Sequence, residues 1–197
     1  MLLKRCIDIV VSVLTLLLLS PLFIAVSFAV WFDSGRPVLF RHRRVGLGFR
    51  QFHILKFRSM RVRASGPAIT IAGDARITRV GRLIRATKLD ELPQFWNVLV
   101  GDMSLVGPRP EAPEYVDMFY DRYQRILTIR PGITDMASIR FRNEEKLLAS
   151  GQEPLLEYIR RVLPLKLDLA DEYLRTRSFR LDCVILFKTL LVMLRTA

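Results

Sequence analysis

Three features of this 197-residue sequence predict an α+β fold, mostly helical and led by a membrane-embedded segment. The first is an N-terminal apolar run with no charged residue from Ile9 to Phe32. The second is a pair of extended runs, residues 38–45 and 49–58, on either side of Gly46-Leu47-Gly48, which reads as a hairpin. The third is a series of helical patterns over the remainder, punctuated by glycine and proline. No internal repeat, low-complexity tract or further domain boundary interrupts it. The predicted architecture is an anchor over residues 1–35 and a mostly helical domain over residues 36–197. That domain carries a small β-hairpin or sheet and interfacial amphipathic helices.

The N-terminal run is long enough to cross a bilayer. Three readings compete for it. A cleavable secretory signal is the weakest, because the run is too long and lacks a small-residue cleavage site. A straight transmembrane helix is what hydropathy alone gives. The third reading is a re-entrant hairpin broken at Ser20-Pro21. Pro21 removes a backbone donor and Ser20 can bond back to a carbonyl, so a sharp kink belongs there. Both flanks are basic, with Lys4 and Arg5 before the run and Arg36, Arg41, Arg43 and Arg44 after it. A spanning helix shows an asymmetry of positive charge, whereas a segment that enters and leaves by one face does not. Kinked spanning helices share the proline, so the flanks carry the distinction. Both ends of the anchor are expected on the cytoplasmic side.

Residues 65–74, with glycines and Pro67, read as a loop. Residues 76–87 place Ile77, Val80 and Ile84 on one helical face and Arg79, Arg82 and Arg85 elsewhere. With Lys88 these arginines lead into Asp90 and Glu91, which with Leu92-Pro93 read as the first turn of a helix ending at Gly101. Residues 114–127 read as a helix stopped by Pro131-Gly132. Shorter helices follow over 143–149, 154–163 and 165–175. The last pattern, residues 179–194, is apolar but carries Asp182 and Lys188 and is too short to span, so it is a core or an interfacial helix.

Thirty-one basic residues stand against 19 acidic ones, giving a net charge of +12. Such a balance points to an anionic partner: nucleic acid, a lipid surface or a phosphorylated substrate. Cys6 and Cys183 have neither metal-ligand nor redox spacing, which fits a cytosol-facing protein without a disulfide framework. His42 and His53 are too isolated for a metal site and are expected on exposed faces.

The most informative stretch is residues 88–110, KLDELPQFWNVLVGDMSLVGPRP. Adjacent carboxylates inside a cationic cluster can hold magnesium (Mg2+) against phosphate groups. A carboxylate can also act as a nucleophile and split one hard transfer into two. The plainer reading makes Asp90 and Glu91 helix-start acids, stabilising by at most about 1 kcal/mol. Arg109 lies between two prolines, which restrict how its guanidinium can point and suit it to clamping phosphate.

This stretch resembles the bacterial sugar transferase family, the small monotopic phosphoglycosyl transferases. The resemblance extends to Lys56-Phe57-Arg58-Ser59-Met60, to residues 78–85 (TRVGRLIR) and to Arg130-Pro131-Gly132-Ile133-Thr134. It implies transfer of a sugar-1-phosphate from a UDP-sugar to polyprenol (undecaprenyl) phosphate, with release of UMP. That is the first membrane step of exopolysaccharide or glycoconjugate biosynthesis, at the cytoplasmic face of the bacterial inner membrane. The resemblance implies Asp90 as the nucleophile that carries the phosphosugar covalently. It gives Glu91 either magnesium, shared with Asp90, or the acceptor's proton. Arg109 and Arg85 would clamp phosphate, with Lys56, Arg58 and Arg130 as secondary phosphate or substrate contacts. It also implies a broken helix, here at Ser20 and Pro21, that dips into one leaflet among membrane lipids.

Where the family usually continues with Gly-Leu-Ala-Gln, this chain has Asp135-Met136-Ala137-Ser138. An acidic residue expected before the final helix corresponds to Asp168 or Asp171, and this C-terminal part is expected to shape the sugar pocket. Two other classes compete. A membrane-tethered nucleic-acid-binding protein would explain the charge, yet carboxylates at the centre of the basic cluster would repel a phosphate backbone. A non-catalytic assembly scaffold would not need the Asp-Glu pair. The sugar and the oligomeric state, a homodimer included, stay open.

Overall fold

The computed structural model describes residues 2–62, 70–149 and 153–194. Part of the expected 65–74 loop, residues 65–69, lies outside the described residues. Helices α1 (Leu2–Leu18) and α2 (Ser20–Ser34) meet at Leu19 with a bend of 62°. Pro21 sits in the first turn of α2, where its missing N–H has no helical partner to lose. The Ser20 hydroxyl donates to the Leu17 carbonyl at 2.8 Å, the back-bond expected at the break. Among the described residues no single helix is long and apolar enough to cross a membrane.

Both open ends of this helix pair are bonded to the rest of the protein. Arg5 donates to the carbonyls of Val98 at 2.6 Å and Leu99 at 2.9 Å. Asp8, buried on α1, accepts from the Ser104 hydroxyl at 2.8 Å and the Leu105 amide at 3.1 Å. At the far end of α2, Arg58 donates to the Ser34 hydroxyl and the Gly35 carbonyl, each at 2.7 Å. The apex between them, with Leu17 and Leu18, is exposed.

Strands β1 (Leu39–Val45) and β2 (Gln51–Phe57) pair antiparallel as the glycine turn predicts, with His42 opposite Ile54 and Phe40 opposite Lys56. The outer edge of β2 is held by one side chain. Asn97 accepts from the Leu55 amide at 3.0 Å and donates to the His53 carbonyl at 2.9 Å, which fixes the strand carrying Lys56. Asn97 belongs to α4 (Gln94–Val100), which ends at Gly101 in the left-handed conformation.

Helix α3 (Arg79–Ala86) starts later than the expected residue 76, because the Thr78 hydroxyl caps it by accepting from the Gly81 amide at 2.9 Å. Gly81 is required there: a Cβ would lie 2.0 Å from the Ser59 carbonyl oxygen. The Asp-Glu pair does not open an α-helix. It occupies a separate 3-10 turn, Leu89–Glu91, introduced by Lys88 at a left-handed φ of 58° and joined to α4 through Leu92-Pro93. A helix dipole is therefore not what these two acids serve.

Two short strands lie outside what the sequence predicts. β3 (Ser104–Val106) and β4 (Gly132–Thr134) pair in parallel and bring the Gly-Pro-Arg-Pro and Arg-Pro-Gly motifs side by side. The Gly107 amide donates to the Thr134 carbonyl at 3.1 Å and the Gly132 amide to the Pro108 carbonyl at 3.0 Å. A Cβ on Gly132 would fall 2.1 Å from the Gly107 nitrogen, so close approach accounts for both glycines.

Between them the expected helix 114–127 divides at Phe119 into α5 (Pro113–Met118) and α6 (Tyr120–Ile126). It ends before Pro131-Gly132, which leads into β4. Helix α7 (Met136–Arg140) is capped by Asp135, which accepts from the Ser138 amide at 2.6 Å. α8 (Glu144–Ala149) follows. Helix α9 (Pro154–Glu157), a π-helical turn (Tyr158–Val162) and α10 (Leu163–Thr176) then run without interruption. The sequence predicts two helices here, divided near Pro164. The wider π turn lies just before the proline, where the ring would otherwise crowd the preceding carbonyls. The final helix α11 (Phe179–Leu194) lies where expected and buries Ile185 while Phe187 and Leu190 stay exposed.

Candidate active site

The 3-10 turn after α3, the end of β2 and the loop after β3 converge on one wall of a continuous cleft of about 1930 Å³. Glu91 is the hub of that wall. One of its oxygens accepts from Lys56 Nζ at 2.8 Å and from Arg109 Nη2 at 2.7 Å. Burial would raise the Glu91 pKa, but Arg109 and Lys56 together hold it well below the usual carboxylate range. Glu91 in turn raises the Arg109 pKa further. Burial lowers that of Lys56, against the pull of Glu91.

Asp90 has the opposite character. It is 4% exposed, and its Oδ1 has no hydrogen-bond partner among the described residues. Burial raises its pKa, with the adjacent Glu91 adding to the effect and Lys56 opposing it. A buried carboxylate oxygen without a donor is costly, and its place in a cleft beside cations makes Asp90 a candidate for chemistry.

Arg109 is placed by backbone. Its amide donates to Asp135 Oδ2 at 3.1 Å, and the crossed glycine backbones fix Pro108 beside it. Arg85 also lines the cleft, where its charge bears on Asp90. It is paired with Glu145 of α8 and lies 3.4 Å from the Ser59 hydroxyl. Of the seven residues singled out by sequence, the fold thus gathers Asp90, Glu91, Lys56, Arg109 and Arg85.

Two are placed elsewhere. Arg58 ties the chain to the end of α2 instead of lining the cleft. β2 closes at Phe57, so Arg58 lies past the strand and does not share the face that Lys56 presents. Arg130 is exposed and donates to the Gly101 carbonyl at 2.8 Å, which closes the end of α4. Asp168 and Asp171 also lie outside the cleft, on α10, where both pair with Arg122.

His42, expected on an exposed face, is instead half-buried in the cleft. Burial, with Arg44 and Lys56 nearby, lowers its pKa to about 4, so it is neutral. Residues that sequence reasoning missed include Asp135, Glu111 and Tyr158. Asp135 carried a usable signal, an acid directly before a helix start.

Among the described residues no group of three or more His, Cys, Asp or Glu could hold a metal ion. The Asp90–Glu91 pair supplies two carboxylates, one with an unpartnered oxygen. That fits a magnesium ion whose remaining ligands come from substrate phosphates and water, the usual arrangement in phosphoryl-transfer sites.

A cationic wall around an unpartnered buried acid has the charge and the donors to hold phosphate groups. The chain belongs to the bacterial sugar transferase family, whose sequence model matches residues 1–196. It is 40% identical over 98% of its length to the UDP-glucose:undecaprenyl-phosphate glucose-1-phosphate transferase of Caulobacter vibrioides, of which it covers 70%. It is 39% identical over 95% of its length to the UDP-N-acetylgalactosamine-undecaprenyl-phosphate N-acetylgalactosaminephosphotransferase of Aeromonas hydrophila, covering 42% of that protein. A UDP-glucose:undecaprenyl-phosphate glucose-1-phosphate transferase of Escherichia coli is 42% identical over 81% of the chain, which spans 36% of it.

Proposed function

We propose that this protein transfers a sugar-1-phosphate from a UDP-sugar to undecaprenyl phosphate, releasing UMP, at the cytoplasmic face of the bacterial inner membrane. The observation that carries the reading is the unpartnered oxygen of buried Asp90 beside the Lys56–Glu91–Arg109 wall. The two steps are balanced in bonds. The Asp90 carboxylate attacks the sugar-side phosphorus, a P–O bond forms, the bond to the bridging oxygen breaks, and UMP leaves with that oxygen. A phosphate oxygen of the acceptor then attacks the same phosphorus, which restores the Asp90 carboxylate and yields the polyprenol diphosphate sugar.

Lys56 and Arg109 offset the charge of the donor diphosphate, and Glu91 holds both cations in position until the donor arrives. Arg85, paired with the more exposed Glu145, is the cation most readily exchanged onto phosphate. Magnesium bound by Asp90 and Glu91 would supply further neutralisation of the diphosphate.

Residues 1–35 form the anchor in this reading, and α1 and α2 enter and leave one leaflet. The attachment of both ends to the same body supports that path, since a straight span would part them. The exposed apolar side chains at the apex and on α11 face lipid. The acceptor's phosphate then meets the cleft without leaving the headgroup layer. The nucleic-acid alternative has no use for a buried acid at the centre of its basic wall.

The test is UMP release from a panel of UDP-sugars with the protein in undecaprenyl phosphate-containing vesicles, followed by intact-mass detection of a phosphosugar adduct. Turnover with an adduct is expected. Turnover without any adduct under rapid quenching would remove the covalent route, and no turnover with any donor would remove the reaction.

A further inference from the structure

Away from Asp90 the cleft carries chemistry that phosphate handling does not explain. Its lining includes the basic side chains Arg79, Arg82 and Lys88, which suit a nucleotide diphosphate. Apolar side chains in its lining, Val11, Leu19, Leu186 and Leu190, suit a lipid chain. The lining also holds a carboxylate outside the Asp90–Glu91 pair. Glu111 is 8% exposed, lies two residues beyond Arg109 and lines the same cleft.

Each Glu111 oxygen has a different state. Oε1 accepts from the Tyr158 hydroxyl at 2.9 Å. Among the described residues Oε2 is paired with Arg44 Nη1 at 3.6 Å, too long for a hydrogen bond. An ionised carboxyl has room for about four donors. Glu111, which lines the cleft, therefore keeps spare acceptor capacity. Tyr158 is itself fixed by an edge-on contact with Tyr115, ring centres 5.2 Å apart, and by Lys166 4.9 Å above its face. The Lys166 charge is taken up by Glu144 at 2.6 Å.

The surroundings of Glu111 suit neither of the two other parts of the reaction. Glu111 and the neighbouring Glu114 would repel a diphosphate, and the polar lining would leave a polyprenol chain poorly solvated. A neutral group rich in donors matches it: the sugar. Hydroxyls donating to a braced carboxylate, beside tyrosine rings, are the interactions such a group requires.

Resting on the transferase reading above, we infer that Glu111, braced by Tyr158 and Arg44, is the contact that selects the sugar of the donor. A site built to accept from a substrate hydroxyl discriminates strongly, because the wrong epimer leaves the buried acceptor unpaired.

The experiment uses the full chain in undecaprenyl phosphate vesicles with UDP-glucose, UDP-galactose and their two N-acetyl derivatives. Wild type, Glu111→Gln and Tyr158→Phe are compared by UMP release, with inhibition by UMP measured alongside. The expected result is a loss of about 10- to 100-fold in kcat/KM for the preferred donor. Less-preferred donors should lose less, which compresses the ranking, while inhibition by UMP is unchanged. Tyr158→Phe keeps the packed ring while freeing the carboxylate it braces, and it decides the question in the same way should Glu111→Gln not fold. Equal losses for all four donors, or an unaltered ranking, overturn the inference while active wild type leaves the transferase reading standing. A wild type that consumes no donor overturns both.

Discussion

At the cleft wall Glu91 holds Lys56 at 2.8 Å and Arg109 at 2.7 Å; where α6 meets α10, Asp171 holds Arg122 at 2.6 Å and Arg125 at 3.5 Å. Both are one carboxylate between two cations, and both acids are largely buried, with side chains 15% and 9% exposed. Their surroundings differ. Beside Glu91 stands a second acid, Asp90, which none of these cations satisfies. Beside Asp171 stands Asp168, which Arg122 also binds, at 2.9 Å and 62% exposed. The α6–α10 network is closed: each charge has its partner or open water. The cleft network leaves the Asp90 oxygen without a donor, and in the proposed reading that difference separates a site from a clasp.

The comparison breaks first at Asp90. Asp90→Asn should lower UMP release by at least about 10³-fold, because an amide cannot carry the phosphosugar. The same change should raise the melting temperature at neutral pH. Burial puts the folded-state pKa of Asp90 above its unfolded value, so the stability it contributes is present at low pH and lost as pH rises through the folded pKa. The asparagine stays neutral throughout, and the gap between variant and wild type should close in acid. For wild type, the acid limb of kcat/KM should lie above the ordinary aspartate value of about 3.9. A variant that melts lower than wild type at neutral pH would show that Asp90 is satisfied after all.

Glu91→Gln should act in the other direction on stability. It leaves Lys56 and Arg109 facing each other without their counter-charge, a loss on the order of 3 kcal/mol by denaturant unfolding. The folded pKa of Glu91 is depressed, so its contribution is present above its unfolded value and disappears as pH falls. The stability difference should therefore be largest near neutral pH and shrink in acid. Activity should fall by about 10²-fold or more, since both cations lose their placement.

What the sequence disclosed follows the range of the interactions involved. The Ser20-Pro21 break, the glycine hairpin and the stop of α4 at Gly101 are set by neighbours within a few positions, and these were legible, whereas the left-handed Lys88 that sets Asp90 and Glu91 in a turn of their own was not. The gathering of Lys56, Glu91 and Arg109 was legible only as motifs, since their bonds cross 35 and 18 residues of chain. The parallel β3–β4 pair was hidden because each strand is only three residues long, too short for a period of two to show. Pro164 misled because a π turn, which leaves no signature in composition, absorbs it. Arg58 shares a motif with Lys56 but, beyond the end of β2, is drawn to the close of α2. No local pattern distinguishes a phosphate clamp from that tie. Glu111 and Tyr158 were missed because their contact spans 47 residues and joins two stretches with no motif of their own.

The smallest effect sharpens the comparison from the other side. Asp171→Asn keeps the shape and the hydrogen-bonding reach of the side chain while removing the charge that Arg122 and Arg125 share. Arg122 retains Asp168, and Arg125 is 63% exposed, so water replaces much of what is lost. The expected cost is about 1 kcal/mol by denaturant unfolding, the scale of a partly exposed ion pair. UMP release should stay within about twofold of wild type, because neither aspartate reaches the cleft. A large loss of activity with unchanged stability would mean that the α6–α10 seam feeds the site. Closure of an ion-pair network would then no longer tell a structural cluster from a working one in this protein.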